Sequence, residues 1–330
     1  GQTLPLGGQD DHRALRPVYR DQRPARQAGG TRRRVAPGTE RSILKLLNRR
    51  VRWAIRDRAL FLPAALGGRI HRHTFDDVRR FCLFVGYPRS GHTLIGSLLD
   101  AHPDAVIAHE LGVMRYVRLG LGRNQLYYLL LAKARRFARK GSRWSGYSYR
   151  VPRQWQGKMR CPRVIGDKAG GATTRILGQQ PELLDRLRDT AGVAVACVHV
   201  VRNPYDNITT RARNGNLVKR EVGEKRLREK IDRHFREVDT MARLRPMLGD
   251  SLLELRHEDF VDDPRRTLAR LCTFLHLDPD PDYLHDCASI VFRKPSATRS
   301  KIHWPDWAIR DVEERMNGYE FLEGYSFEER

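Results

Sequence analysis

The run from Phe81 to Thr93, FCLFVGYPRSGHT, sets polar and cationic groups at a spacing suited to an anion. An apolar, β-prone segment leads into Gly86-Tyr87-Pro88-Arg89-Ser90-Gly91-His92-Thr93, and the residues from Leu94 to Leu99 read as the opening turns of a helix. Strand, glycine-bounded loop and helix N-terminus in that order aim consecutive N–H groups inward, and the helix dipole adds partial positive charge. The spacing follows the phosphate-loop pattern G-x-x-x-x-G-K-[ST], except that His92 stands where the lysine belongs. An NTPase places that lysine on the β- and γ-phosphates. Here the cation inside the loop is Arg89. The loop is therefore expected to hold phosphate or sulfate through Arg89, Ser90, Gly91, His92 and Thr93, and not in the usual ATP manner.

A second anion site follows the most β-prone segment of the chain. VAVACVHVV (193–201) is the continuous apolar run of a central parallel strand. It ends on Arg202, where α/β sheets place their ligands, and Pro204 suits the first turn of the next helix. Thr210 lies about two turns further on, so an arginine and a hydroxyl could share one phosphate. Two anion sites after two strands of one sheet describe a ligand with two separate phosphates.

The elements that must position these groups alternate. Strands are expected at 81–87, 105–110, 163–168, 193–201 and 251–256. Helices are expected at 93–101, 126–139, near 180–190, at 221–246 and from Pro264 to Leu275. The stretch 141–160, rich in Gly, Ser, Trp, Tyr and Arg, suggests a mobile loop. This alternation argues for an α/β fold, a phosphate-loop-like, doubly wound parallel sheet flanked by helices.

The chain has 330 residues and a formal net charge of +23. Residues 1–80 hold 19 Lys or Arg against 7 Asp or Glu, about half of that excess. Residues 1–40 read as a disordered basic tail. Residues 41–80 read as a basic helical extension and 81–330 as the catalytic domain. Within the extension, 41–62 sets Ile43, Leu44, Leu47, Val51, Ile55 and Leu60 at helical spacing among six arginines and a lysine. Such a helix either lies on a membrane surface or packs on the domain with its charged face in water. Pro63 and the pair Gly67-Gly68 are expected to close it. The five cysteines form no C-x-x-C pair and read as free thiols. D-x-D and H-x-x-x-H patterns are absent in convincing form, so no metal is expected.

YPRSGHT and the later RNPYDNITT resemble the two nucleotide-binding signatures of sulfotransferases that use 3′-phosphoadenosine 5′-phosphosulfate (PAPS). The run PRSGHTLIGSLLDAHPDAVIAHE is most similar to the tyrosylprotein and related bacterial branch. The resemblance covers residues 81–310, strongly in the two signatures and thinly elsewhere. It implies PAPS as co-substrate, with the 5′-phosphosulfate in the first loop and the 3′-phosphate between Arg202 and Thr210. By position, Arg89 would contact the sulfonate and the 5′-phosphate and, with Lys168, stabilise the leaving group. Glu110 would be the general base, and Lys168 would steady the bridging oxygen of the leaving group. Ser300, in RSKIHW, would belong to a segment that closes over the nucleotide. His257 stands where many members have tyrosine, and His92 replaces the loop's Thr or Ser and could add a second titrating group. Asp167 and His109 are the rival bases. The tryptophans of WPDW (304–307) read either as core or as a lid over the adenine.

The acceptor implied is any hydroxyl: protein tyrosine, glycan, or another alcohol or phenol. The basic surface favours an acidic peptide or glycan, with loops 111–160 lining its site. Nucleic acid is not the expected partner, and oligomeric state is left open. Free thiols and the absence of a visible signal favour the cytoplasm, with membrane association or a removed N-terminal anchor as alternatives. Two other classes compete. A phosphate-loop kinase needs lysine at position 92 and an acid after a strand, where this chain has Arg202. A non-catalytic polyanion binder would rest on the basic tail alone.

Overall fold

The computed structural model describes residues 60–213 and 222–328. The expected tail, 1–40, and all of 41–62 before Leu60 lie outside the described residues. In chain order the elements are α1 (Phe61–Ile70), β1 (Arg80–Val85), α2 (His92–Leu99), β2 (Ala105–His109), α3 (Val113–Arg118), α4 (Arg123–Arg139), the short strands β3 (Arg143–Trp144) and β4 (Tyr147–Ser148), β5 (Val164–Lys168), α5 (Gly170–Gln179), α6 (Leu183–Ala191), β6 (Ala194–Val201), α7 (Pro204–Ala212), α8 (Glu224–Leu248), β7 (Leu252–Arg256), α9 (His257–Asp262), α10 (Pro264–Leu275), α11 (Pro281–Ser289) and α12 (Asp306–Met316).

Five strands form one parallel sheet in the order β2-β5-β1-β6-β7, and β3 pairs with β4 as a separate antiparallel hairpin. β1 lies at the centre, with later strands added on both sides. The loop after it therefore opens where the strand order reverses, the usual ligand crevice of an open α/β sheet. Alternation along β1 serves two cores: Phe81, Leu83 and Val85 face the helical layer that includes α1, α4 and α8, while Cys82 and Phe84 face α2 and α10. All five sheet strands are parallel, so every strand delivers its following loop to the same edge.

Two departures from the sequence reading have physical causes. Pro63 and Gly67-Gly68 do not close a segment; they lie inside α1. Pro63 falls in the first turn, where its missing N–H costs no helix bond. The glycines let α1 approach α4, because a Cβ on Gly67 would fall 2.3 Å from the Tyr128 ring and one on Gly68 2.8 Å from the Asn124 backbone. The stretch 141–160 is pinned rather than loose. Gln156 donates to the carbonyls of Ser97 and Tyr149 and accepts from the N–H of Val151, and the N–H of Trp155 donates to the carbonyl of Ala101. The cysteines are free thiols, four of them buried.

Candidate active site

Three groups of residues meet at the carboxyl edge of the sheet. The first is the loop after β1. Gly86 (φ 112°), Arg89 (φ 72°) and Gly91 (φ 99°) take left-handed backbone conformations that curl it. α2 then starts at His92, and its first turn leaves N–H groups without helical acceptors. The loop is braced from below. Asn207 donates to the carbonyl of Pro88 and to Ser90 Oγ, the buried Ser90 hydroxyl donates to the carbonyl of Tyr87, and the N–H of Gly86 donates to Thr174 Oγ1. Gly91 also sits over His257, whose Nδ1 would lie 2.5 Å from a Cβ there. The His257 ring is thus a floor for the loop, and burial pushes its pKa down to about 3.

His92 does not act as the expected second titrating group. Its ring lies edge-on to Phe84 and against Gly170, where a Cβ would fall 2.5 Å away. Burial, reinforced by Lys168 and His199, pushes its pKa down to about 3, so it stays neutral. What His92 offers an anion is its main-chain N–H.

The second group gathers around Arg202, at the end of β6. Its guanidinium is nearly buried and donates to the carbonyl of Arg89 (3.1 Å), the carbonyl of Ser296 (3.0 Å) and Thr298 Oγ1 (3.4 Å). Thr210, on α7, lies 3.2 Å from the same Thr298 hydroxyl. Arg202 and Thr210 therefore come together as the spacing predicted, and Arg202 ties their site to the first loop. Ser300 does not join them. It is exposed, and its hydroxyl donates to the carbonyl of Ala297 within a 3-10 turn. The hydroxyl beside Arg202 belongs to Thr298, two residues earlier, and no spacing rule pointed to it. Trp304 is core: it is buried, its indole N–H donates to Thr209 Oγ1, and it packs on Tyr205 and Phe327.

The segment carrying Thr298 is latched to α7 by a buried ion pair. Asp206 accepts from Arg299 Nη1 (2.8 Å) and from the N–H of Arg299 (2.7 Å). Removing one partner of a buried pair strands the other charge, at a cost of about 3–5 kcal/mol. Asp206→Ala should therefore lower stability by an amount in that range and release hydrogen-exchange protection across 296–302. Unchanged melting and protection would show that the latch contributes nothing.

The third group spans β2, β5 and α2. Lys168, almost wholly buried, lies 3.1 Å from Thr93 Oγ1 and 3.0 Å from Glu110 Oε1, while the Glu110 side chain is 46% exposed. A buried cation thus bridges the start of the anion loop and a carboxylate open to solvent. Burial lowers the Lys168 pKa from the ordinary lysine value, and Glu110 pulls it back up. Asp167 faces elsewhere. Its fully buried carboxylate accepts the N–H groups of Leu111 (2.9 Å), Gly112 (2.7 Å) and Val113 (2.8 Å). His109 is stacked on Phe137 at 4.0 Å with Trp144 at its edge, and burial followed by the Lys168 and Lys133 charges pushes its pKa down to about 3.

Arg89 is exposed and reaches Ser145 at the turn of the β3–β4 hairpin (3.4 Å). Pro88, Arg89, Thr210, Arg211, Lys230 and Arg233 surround an open cleft of about 300 Å³. Glu237 pairs with both Arg211 and Arg233, which leaves the cleft cationic. Among the described residues no three His, Cys, Asp or Glu side chains gather as a metal-binding group.

Residues 195–282 match a family model described as the sulfotransferase family. The match contains Arg202, Thr210 and His257. No curated protein matches the sequence. Among solved structures, the sulfotransferase domain of the Synechococcus PCC 7002 olefin synthase is 19% identical, with 74% of this chain and 96% of that one covered and a TM-score of 0.43. The sulfotransferase domain from the curacin biosynthetic pathway is 15% identical over 73% and 97%, with a TM-score of 0.45. Mouse sulfotransferase SULT7A1, solved with PAP, is 12% identical over 73% and 84%, with a TM-score of 0.39.

Proposed function

We propose that this chain, whose residues 195–282 match the model of the sulfotransferase family, moves a sulfuryl group from PAPS to the hydroxyl of an acceptor. The observation that carries this reading is the Thr93–Lys168–Glu110 line. A cation supplied by a neighbouring strand, instead of by the loop, stands between the anion cradle and an exposed carboxylate.

The 5′-phosphosulfate would lie in the loop against the N–H groups of 90–93, and the 3′-phosphate between Arg202, Thr210 and Thr298. In the transfer, the acceptor oxygen forms a bond to sulfur as the bond from sulfur to the bridging phosphate oxygen breaks. Negative charge collects on that bridging oxygen, so Lys168 and the Thr93 hydroxyl stabilise the transition state more than the ground state. The acceptor proton passes to Glu110, the exposed member of the line. Burial raises the Asp167 pKa, but its carboxyl is fully buried and three main-chain donors occupy its oxygens, so it is poorly placed to take the acceptor's proton. His109 is a poorer base because an imidazole with so low a pKa has little affinity for a proton. The cationic cleft lined by Arg89, Thr210, Arg211, Lys230 and Arg233 adjoins the 3′-phosphate site and supports a polyanionic nucleotide there, while the net charge of +23 favours an acidic acceptor such as an acidic peptide or glycan.

Calorimetric titration with 3′-phosphoadenosine 5′-phosphate (PAP) beside ATP tests the nucleotide. PAP should bind, ATP should bind far more weakly, and Arg202→Ala should weaken PAP by about 10- to 100-fold, the worth of one or two charge-assisted hydrogen bonds. Equal affinity for ATP, or indifference to Arg202→Ala, would sink the assignment.

A further inference from the structure

Helix α1 is built inside out for a surface helix. Its inward face carries Ala64, Gly67 and Gly68, all buried, the two glycines directly against α4. Its outward face carries Leu62, Leu66 and Ile70, which are 79%, 61% and 68% exposed. These three stand at i, i+4 and i+8, so they form one continuous ridge along the helix. Proteins leave single apolar side chains in water freely, but a ridge of large ones over a seam of small ones needs an occupant.

We propose that this ridge seats the protein on an anionic lipid surface. Charge identifies the occupant. Arg69 and Arg72, both exposed, stand beside the ridge. The net charge of the whole chain is +23. A second copy of the chain would bring like charges together at the ridge. Three side chains on a ten-residue helix also fall short of the roughly 800 Å² per partner that a stable protein interface buries. A phospholipid surface supplies what is missing on both counts: an acyl boundary for Leu62, Leu66 and Ile70, and phosphates for the flanking arginines. The ridge is formed by α1 and lies outside the three groups of the active site, so this inference does not depend on the reaction.

The test uses the full chain and sedimentation with vesicles of phosphatidylcholine alone or of phosphatidylcholine with about a quarter phosphatidylglycerol, in low and high salt. Binding to the anionic vesicles is expected, with a loss of about tenfold or more in Leu62→Ser/Leu66→Ser/Ile70→Ser, whose substituted side chains are already in water. That variant should melt as the wild type does and bind PAP equally well. Three results would overturn the proposal: no binding by the wild type, undiminished binding by the triple variant (cations alone then hold the protein), or a wild-type dimer that the triple variant converts to monomer without any vesicle binding.

Discussion

Glu110→Gln is expected to cut turnover by about 10²- to 10⁴-fold, the usual worth of a positioned proton acceptor. Glutamine keeps the length of the side chain and an oxygen for Lys168 Nζ, so the line from Thr93 to position 110 retains its shape. What disappears is the proton-accepting oxygen and the negative charge. PAP affinity should stay within about threefold at neutral pH, because uniform binding is untouched. The charge has a separate signature. Burial lowers the Lys168 pKa and Glu110 raises it, so neutralising Glu110 lets that pKa fall further. Lys168 grips phosphate only as the ammonium. PAP affinity should therefore decline as pH rises through the lowered lysine value, and in Glu110→Gln the decline should begin at lower pH. Titrations of both proteins from about pH 6 to 10 follow this proton linkage directly. Wild-type turnover in the variant would remove Glu110 from the reaction, and an unmoved PAP profile would mean that its charge does not reach Lys168.

Much of this site could be read from the chain because local rules govern its parts. A strand, a glycine loop and a helix start announce a phosphate cradle within one short run, and all five sheet strands were legible to within two residues at either end. Arg202 and Thr210 needed only the pitch of α7 to meet. The failures occur where tertiary contact decides. α5 is not among the expected helices, and its first residues, Gly170 and Gly171, are poor helix formers. They are glycines because a Cβ on either would fall within 3 Å of the His92 ring or Pro88. Gly67 and Gly68 misled for the same reason. Ser300 comes from the resemblance alone, and the 3-10 turn over Thr298–Lys301 brings the Thr298 hydroxyl to Arg202 while Ser300 stays exposed. His92 had the residue type of a titrating ligand, but the fold turns its ring onto Phe84 and Gly170. Sequence spacing shows which groups share an edge of the sheet. It does not show which way a ring turns once α5 has closed behind it.

Asp167→Asn is the second variant with a large expected effect, and it acts through a different residue. Glu110 sits in a left-handed conformation (φ 55°), which is unfavourable for a side chain with a Cβ. The next three residues, 111–113, all donate their N–H groups to Asp167. That carboxylate, buried beside Lys168, pins the turn and so fixes where Glu110 points. Asparagine has one acceptor oxygen instead of two, and its NH2 group would face at least one of the three donors. The cost should be about 2–3 kcal/mol, seen as a lowered denaturant midpoint. Turnover should drop chiefly in kcat, by about tenfold or more, with PAP affinity nearly preserved, because the loop and Arg202 are not touched. A structural loss alone could produce the stability change, so the decisive comparison is a double-mutant cycle. If Asp167 works by holding Glu110, then Asp167→Asn should cost turnover in the wild type and almost nothing further in Glu110→Gln. Full additivity of the two losses would mean that Asp167 contributes on its own account. A collapse of turnover in Asp167→Asn with an unchanged denaturant midpoint would move the role of base from Glu110 to Asp167.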